Sequence, residues 1–235
     1  MENNTIINGN CWVAYCDILG FKKTVTNFEG EYGEGSLEIF VKHFYDKIIN
    51  ELKRHGKYFP DDVFSTLFSD TFLFYTRDGS KQSFSILHST FDIFYCSVIT
   101  KDDKFPLRGA IGFGQLYADM SKNIFLGSGI INAYEYSENQ NWIGYIITPE
   151  ANNRLDELGI NLCSKKCFAR YPVPFHQKGK KDKTLELFVS KIHHKQPKVI
   201  SAIQLIQKES MKDKDYQEKH RTKYENTFQF FKEHP

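Results

Sequence analysis

The chain has 235 residues, with 31 Lys and Arg against 29 Asp and Glu, and its 40% hydrophobic content includes 21 Phe and 13 Tyr. At this length roughly three-quarters of the unfolded surface is buried, so folding requires neither disulfides nor a structural metal, and one large domain is expected. A formal charge of +2 excludes bulk electrostatic capture of a nucleic-acid polymer or an acidic membrane, and the aromatic load excludes disorder and points to a thick core containing a sheet.

The opening MENNTIINGN is polar and has neither a basic n-region nor an apolar h-region. It is expected to be a short tail over 1–10 rather than a signal peptide. No apolar run approaches the roughly 20 residues that span a bilayer. The five cysteines, Cys11, Cys16, Cys96, Cys163 and Cys167, form no C-x-x-C pair and have no His completing a set. That spacing argues against zinc, and free thiols fit a cytoplasmic protein.

Residues 11 to 21, CWVAYCDILGF, are apolar on both faces up to Asp17 and turn at Gly20, which predicts a buried central strand ending in a carboxylate. Ile39, Phe40, Phe44, Ile48 and Leu52 recur at helical spacing over 36 to 55, and Gly56 stops the run. VFSTLF and TFLFYT flank Ser69-Asp70 and predict a hairpin. A second helix is expected over 81 to 99, with Phe84, Leu87, Phe91, Phe94, Tyr95 and Val98 on its apolar stripe. Pro106 opens the strand LRGAIGFG, followed by a short strand or loop near Leu116 and Tyr117. The helix GIINAYEYSEN, the strand WIGYIIT and the helix PEANNRLDEL come next, the last with Pro149 in its first turn.

The first six elements match the split-βαβ plan, so the expected class is α+β with a ferredoxin-like βαββαβ sheet. After residue 160 the pattern loosens. KGKKDK is expected as a loop, TLELFVSKI as a strand and 197 to 232 as a mostly helical tail, which divides the chain into a main domain over 11–192 and a C-terminal helical extension over 193–235. Balanced charge over 208 to 225 is most simply a solvated helix.

Asp17 closes the first strand and Asp70 sits in the hairpin. In a ferredoxin-like sheet these strands are neighbours, so both carboxylates can face one point. Two carboxylates and a backbone carbonyl suit a hard divalent ion whose other positions are filled by substrate phosphate and water. The turn at Gly20 could offer backbone N–H groups to phosphate oxygens. Taken singly, Asp70 could equally shape the turn and Asp17 cap the chain beyond its strand. A carboxylate directly after WVAYC is nevertheless costly beside a core strand without a partner.

Cys16-Asp17-Ile18-Leu19-Gly20-Phe21 resembles the F-x-D-I-x-G-F opening of class III nucleotidyl cyclases, and Phe68-Ser69-Asp70 falls where that family has its G-D hairpin. Leu107 to Gly114 (LRGAIGFG) is similar to the R-x-G-I-x-x-G strand, Gly127 to Ala133 (GSGIINA) to the G-x-x-V-N-x-A helix start, and Lys178-Gly179-Lys180 to the late K-G-K segment. The matches come in the family's order across about residues 11 to 190. The wording D-I-L-G-F-K, F-S-D, L-R-G-A-I and R-Y-P-V-P resembles most the bacterial pyrimidine cyclases of Pycsar antiphage defence.

The resemblance implies a cytoplasmic lyase, a homodimer that converts UTP or CTP to a 3′,5′-cyclic nucleotide and pyrophosphate with two Mn²⁺ or Mg²⁺ ions. It also implies a separate effector protein that responds to the cyclic nucleotide. By position, Asp17 and Asp70 are the metal carboxylates and Ile18 adds its carbonyl. Gly20 and Phe21 lie under the phosphates, and Lys178 or Lys180 neutralises phosphate charge. Thr66 stands where purine cyclases carry a base-reading Lys, and Ile124 falls near their base-reading Asp, which argues for a smaller base. The family's transition-state Asn and Arg fall at Ile131 and Glu135, or one residue away at Asn132. Arg108 is the relocated catalytic candidate, with a strand-edge ion pair as its simpler role. Tyr15 and Tyr134 could contact a pyrimidine or simply pack. The missing Asn/Arg pair leaves open a degenerate cyclase-like domain that binds nucleotide or a partner without chemistry.

Overall fold

A computed structural model describes residues 6–42, 45–46, 62–100, 105–176, 183–191, 197–210 and 214–234. Its strands are β1 (Ile6–Ile18), β2 (Val63–Phe68), β3 (Thr71–Thr76), β4 (Leu107–Asp119), β5 (Ile124–Leu126), β6 (Gly144–Ile147), β7 (Phe168–Phe175) and β8 (Lys183–Ser190). The labelled helices are α1 (Phe21–Tyr32), α2 (Lys81–Thr100), α3 (Ser128–Glu138), α4 (Pro149–Glu157), α5 (Pro197–Ser210) and α6 (Lys214–Glu233). Helical backbone is also present at 36–42, and the rest of the helix expected to residue 55 lies largely outside the described residues.

The strands form one sheet in the order β2-β3-β1-β4-β6-β8-β7, with β5 paired to β4. The first four positions are the ferredoxin-like arrangement, antiparallel throughout. β4 pairs with β6 in parallel, as the intervening α3 crossover requires. β1 is central because both of its faces are apolar. Trp12, Ala14, Cys16 and Ile18 pack on one side with Phe72 and Phe74 of β3, against Phe84, Phe91 and Phe94 of α2. Cys11, Val13 and Tyr15 pack on the other with Leu73, Tyr75 and Ala133 of α3. α3 approaches closely because β4 has Gly114 beneath it. A Cβ there would stand 2.7 Å from Ser128 Oγ and 2.8 Å from Gly129 N.

Four differences from the sequence expectation have physical causes. β1 starts at Ile6, inside the expected tail, and β4 runs unbroken to Asp119, because the two strands pair from Ile6↔Asp119 to Ile18↔Leu107. Backbone pairing carries the polar stretch Asn8-Gly9-Asn10, which has no alternation to reveal it. α1 was not expected, since its stripe is only Phe21, Val25 and Phe28. β7 contains Pro172 and Pro174, which resemble a loop in sequence, yet it is an edge strand whose ladder partner is β8, with one further bridge from Phe175 to Gln140, and missing donors are tolerated at an edge. Within 208–225, expected as a solvated helix, Lys223 and Tyr224 are buried. Val199, Ala202 and Ile203 of α5 and Tyr224, Phe230 and Phe231 of α6 join the main core, where Phe230 meets Trp142 and Tyr171.

The five cysteines are free thiols. Among the described residues no helix is long and apolar enough to cross a membrane.

Candidate functional site

Three strand ends meet at one rim of the sheet. β1 finishes with Asp17 paired to Thr71 of β3 on one side and Arg108 of β4 on the other. The chain then locks in place: Ile18 N–H donates to the Asp70 carbonyl (3.1 Å), and Leu19 N–H to the Pro106 carbonyl (2.9 Å). The hairpin turns through Ser69 in the left-handed region (φ 54°), which presents Asp70 beside Asp17. Gly20, at φ 83°, makes the sharp turn into α1.

These elements border a cavity of about 600 Å³. It is lined by Asp17, Asp70, Arg108 and the segment from Ile18 to Lys22, together with His176, His220 and Lys223. The N-terminus of α1, where the Lys23 and Thr24 N–H groups donate to the Gly20 carbonyl, borders this space, and the helix dipole there favours an anion. Residues of both families, acid and base, thus face one space.

Burial, then the nearby Glu138 charge, pushes the Asp17 carboxyl up to about 7, against the opposing pull of Arg108 and with further upward push from Asp70, whose carboxyl also hydrogen-bonds it. Arg108 donates to Asp17 Oδ2 (3.2 Å), to the Glu138 carbonyl (2.6 Å) and to Glu138 Oε2. The strand-edge ion pair is therefore formed, between side chains only 11% and 13% exposed. Asp17 and Glu138 share one guanidinium and Asp70 stands beside Asp17, so carboxylates outnumber the guanidinium in this cluster.

Among the described residues no three His, Cys, Asp or Glu side chains converge as a metal site of their own. The fit is instead to an ion held by two carboxylates and a carbonyl that takes its remaining ligands from phosphate and water, the pattern of hard divalent ions. Asp17, Asp70 and Ile18 would hold it.

Of the other expected residues, Gly20 and Phe21 line the cavity and Arg108 lies in it, whereas Thr66, on β2 opposite Leu73, does not. Lys178 and Lys180 lie outside the described residues. Tyr15 is packed: its hydroxyl pairs with Thr71 Oγ1 (3.1 Å) and its ring meets Tyr134 edge-on at 5.5 Å. Tyr134 itself stays half exposed.

Sequence reasoning missed Glu138, Lys22, His176, His220 and Lys223. Glu138 follows the family-like helix start by one turn too many to match any motif. A signal for Lys223 existed: Tyr224, Thr227, Phe230 and Phe231 make a helical stripe, with Lys223 at its edge and His220 one turn before.

No family model matches the sequence, and no curated protein matches it. Solved structures do match the fold. The catalytic core of a rhodopsin-guanylyl cyclase with converted specificity, in complex with ATPalphaS, superposes with a TM-score of 0.53 at 15% identity, covering 79% of this chain and 97% of that one. A bacterial light-regulated adenylyl cyclase gives a TM-score of 0.50 at 12% identity, covering 87% of this chain, which spans 57% of that protein. At such identities the likeness is one of architecture. The α+β palm, with its sheet and covering helices, is the fold of class III nucleotide cyclases.

Proposed function

We propose that the protein is a metal-dependent cyclase of pyrimidine nucleoside triphosphates, UTP ahead of CTP, and that it makes a second messenger in antiphage defence. The observation that carries this is the meeting of the Asp17 and Asp70 carboxylates at the mouth of a cavity that the α1 N-terminus also enters. In the reaction the ribose 3′-oxygen bonds to the α-phosphorus, the bond from that phosphorus to pyrophosphate breaks, and the hydroxyl proton leaves to solvent. Two Mn²⁺ or Mg²⁺ ions, when bound, supply activation of the hydroxyl and support of the leaving group. Asp17, Asp70 and the Ile18 carbonyl would hold them. The Gly20 and Phe21 backbone receives phosphate oxygens, and Arg108 orients Asp17 while it balances the charge of the carboxylate cluster. Lys178 or Lys180 adds positive charge to the triphosphate.

The pyrimidine assignment is supported by Thr66 and Ile124, neither of which can read a purine as a Lys–Asp pair does. A homodimer is supported by exposed apolar side chains. By strand register Phe68 and Thr66 share the sheet face of Leu73 and Thr71, and that face also carries α3. Phe68 is 80% exposed, and Ile131 and Tyr134 of α3 are about half exposed. A separate effector protein would bind the cyclic product.

The test is incubation of purified protein with each of the four NTPs and Mn²⁺, with cyclic product followed by mass spectrometry. Cyclic UMP or CMP is expected; product from ATP or GTP alone refutes the pyrimidine assignment. A second reading, nucleotide binding without chemistry, has support in Ile131 and Glu135, which stand where the family keeps its transition-state Asn and Arg. Nucleotide binding that is indifferent to metal, with no turnover, would favour it.

A further inference from the structure

Asp70 is presented by a turn that a residue with a side chain disfavours. Ser69 stands at φ 54°, where its Cβ crowds the following carbonyl. Two hydrogen bonds hold this turn. Tyr45 donates its hydroxyl to the Ser69 carbonyl (2.9 Å), and the Ile18 N–H donates to the Asp70 carbonyl (3.1 Å). The Ser69 carbonyl belongs to the peptide plane before the Asp70 Cα, and the Asp70 carbonyl to the plane after it. With both planes held, the two soft backbone dihedrals of Asp70 are fixed, and so is the direction in which its side chain leaves the chain. Tyr45 is itself anchored. It lies in helical backbone, half-buried, with its ring edge-on to Phe21 (6.5 Å) and Phe40 (6.2 Å), and those two rings meet each other at 5.8 Å. Phe21 opens α1 and lines the cavity beside Gly20. One side chain thus ties the start of α1 to the hairpin that carries Asp70. Burial, then the Asp70 charge, pushes the Tyr45 phenol up, so it stays protonated and remains the donor.

We propose that Tyr45 is a positioning residue for the metal site: its hydroxyl, acting through the Ser69 carbonyl, holds the Asp70 carboxylate where it can share a divalent ion with Asp17. This rests on the cyclase reading and adds to it a residue outside the cavity lining. Supporting bonds of this kind set a ligand's direction without touching the ion. A hairpin freed of the Tyr45 bond populates the binding-competent turn less often, because Ser69 gains by leaving the left-handed region. The apparent metal affinity falls by that fraction, while saturating metal draws the hairpin back.

The experiment compares the full chain with Tyr45→Phe, which removes the hydroxyl and keeps the ring. Mn²⁺ binding is measured by calorimetry, exchange of the Ile18 amide by hydrogen–deuterium exchange, and the Mn²⁺ dependence of the initial rate with UTP. The Kd for Mn²⁺ and the Mn²⁺ concentration for half-maximal rate are each expected to rise about three- to tenfold, the scale of one hydrogen bond. Protection of the Ile18 amide should fall by a comparable factor, and the rate at saturating Mn²⁺ should change little. Phe28→Leu serves as the packing control. Phe28 meets Phe40 at 5.4 Å in the same aromatic cluster and has no part in the Tyr45–Ser69 bond. It should lower the thermal midpoint and leave Mn²⁺ affinity unchanged. Wild-type Mn²⁺ affinity in Tyr45→Phe overturns the proposal, and so does an equal weakening in Phe28→Leu, which would make the effect one of packing. Turnover by wild type with an unchanged Mn²⁺ requirement in Tyr45→Phe defeats this inference alone. Mn²⁺ binding that Tyr45→Phe weakens, in a wild type that makes no cyclic product, defeats the cyclase reading and leaves the positioning role standing.

Discussion

Two buried aspartates in this molecule share a perturbation and differ in everything else. Burial pushes Asp17 up to about 7 and Asp92 up to about 6. Asp92, on α2, is sealed in the core, where Tyr145 donates its hydroxyl to Oδ1 (2.6 Å) and Ser190 adds a longer bond (3.3 Å). Since the Tyr145 proton goes to Asp92, His88 Nε2 at 3.2 Å acts as donor to the tyrosine oxygen. Among the described residues no neutral side chain donates to Asp17 in this way. It meets Glu138 and Asp70, and one guanidinium shared with Glu138. A raised carboxyl is thus no mark of a site by itself. Solvated space and uncompensated negative charge are what single out Asp17.

The sharpest way to break this contrast is to remove each carboxylate. Asp17→Asn and Asp70→Asn should each lower turnover by about 10³-fold or more, since on the proposed function each would delete a ligand of the ions that carry the transition-state charge. Their thermal midpoints should not fall, because each change relieves repulsion between adjacent carboxylates. The readouts are cyclic-nucleotide formation and thermal melting. Retained turnover in either variant refutes the metal-site proposal.

Asp92→Asn should do the reverse, sparing turnover and changing stability with pH. Asp92 has a folded pKa above its ordinary 3.8, so the folded state holds that proton more tightly and stability falls as pH rises from about 4 to about 6. His88, pushed down by burial from 6.5 to about 4, has the opposite sign: the folded state refuses the proton, and stability rises with pH over about 4 to 6.5. Each is worth about 3 kcal/mol, so in the wild type they nearly cancel. Facing groups from the surrounding elements are Tyr145 of β6, Ser190 of β8, and Tyr95 and Cys96 of α2 itself. Asp92→Asn leaves the histidine alone, and its stability should fall by about 3 kcal/mol from pH 7 to pH 4. Urea titrations at four pH values would show it; a profile parallel to wild type contradicts the assignment.

Tyr145→Phe is a smaller perturbation of the same cluster. It strips Asp92 of its shortest bond and His88 of its acceptor, at about 1–3 kcal/mol for buried partners left without it. The loss should be greatest above pH 6, where Asp92 is ionised.

What the sequence could reveal divides along the same line. Asp17 was legible because a charge at the end of a strand apolar on both faces, WVAYC, is costly unless it has a partner, even though capping the chain beyond the strand would also account for it. Asp70 was legible as the turn between two short runs rich in aromatic and β-branched residues, VFSTLF and TFLFYT. The sheet order of the first four strands followed from them. β7 was hidden because Pro172 and Pro174 signal loops except on an edge strand, and only the assembled sheet shows which strand is the edge. Lys223 was hidden among charges that read as a solvated helix, since the bonds that seat its helix run from Thr227 and Asn226 to Ile143 and Asn141, 84 and 85 residues away in sequence. Glu138 was hidden for a related reason: its meaning comes from Arg108, on another strand.

That last residue gives the mildest test. Glu138→Gln removes one of the two carboxylates that share Arg108, so the guanidinium turns wholly to Asp17 and competes with any cation arriving there. The negative charge that helps draw the cation is lost as well. Both effects act in one direction, and the Mn²⁺ concentration for half-maximal rate should rise about three- to tenfold. The maximal rate should change little, because Glu138 does not line the cavity and saturating metal restores the occupied site. Mn²⁺ titrations of initial rate, with the Mn²⁺-induced rise in thermal midpoint as a second readout, would measure it. An unchanged metal requirement would reduce Glu138 and Arg108 to an ion pair that ties α3 to β4, and would leave Asp17 positioned by its strand alone.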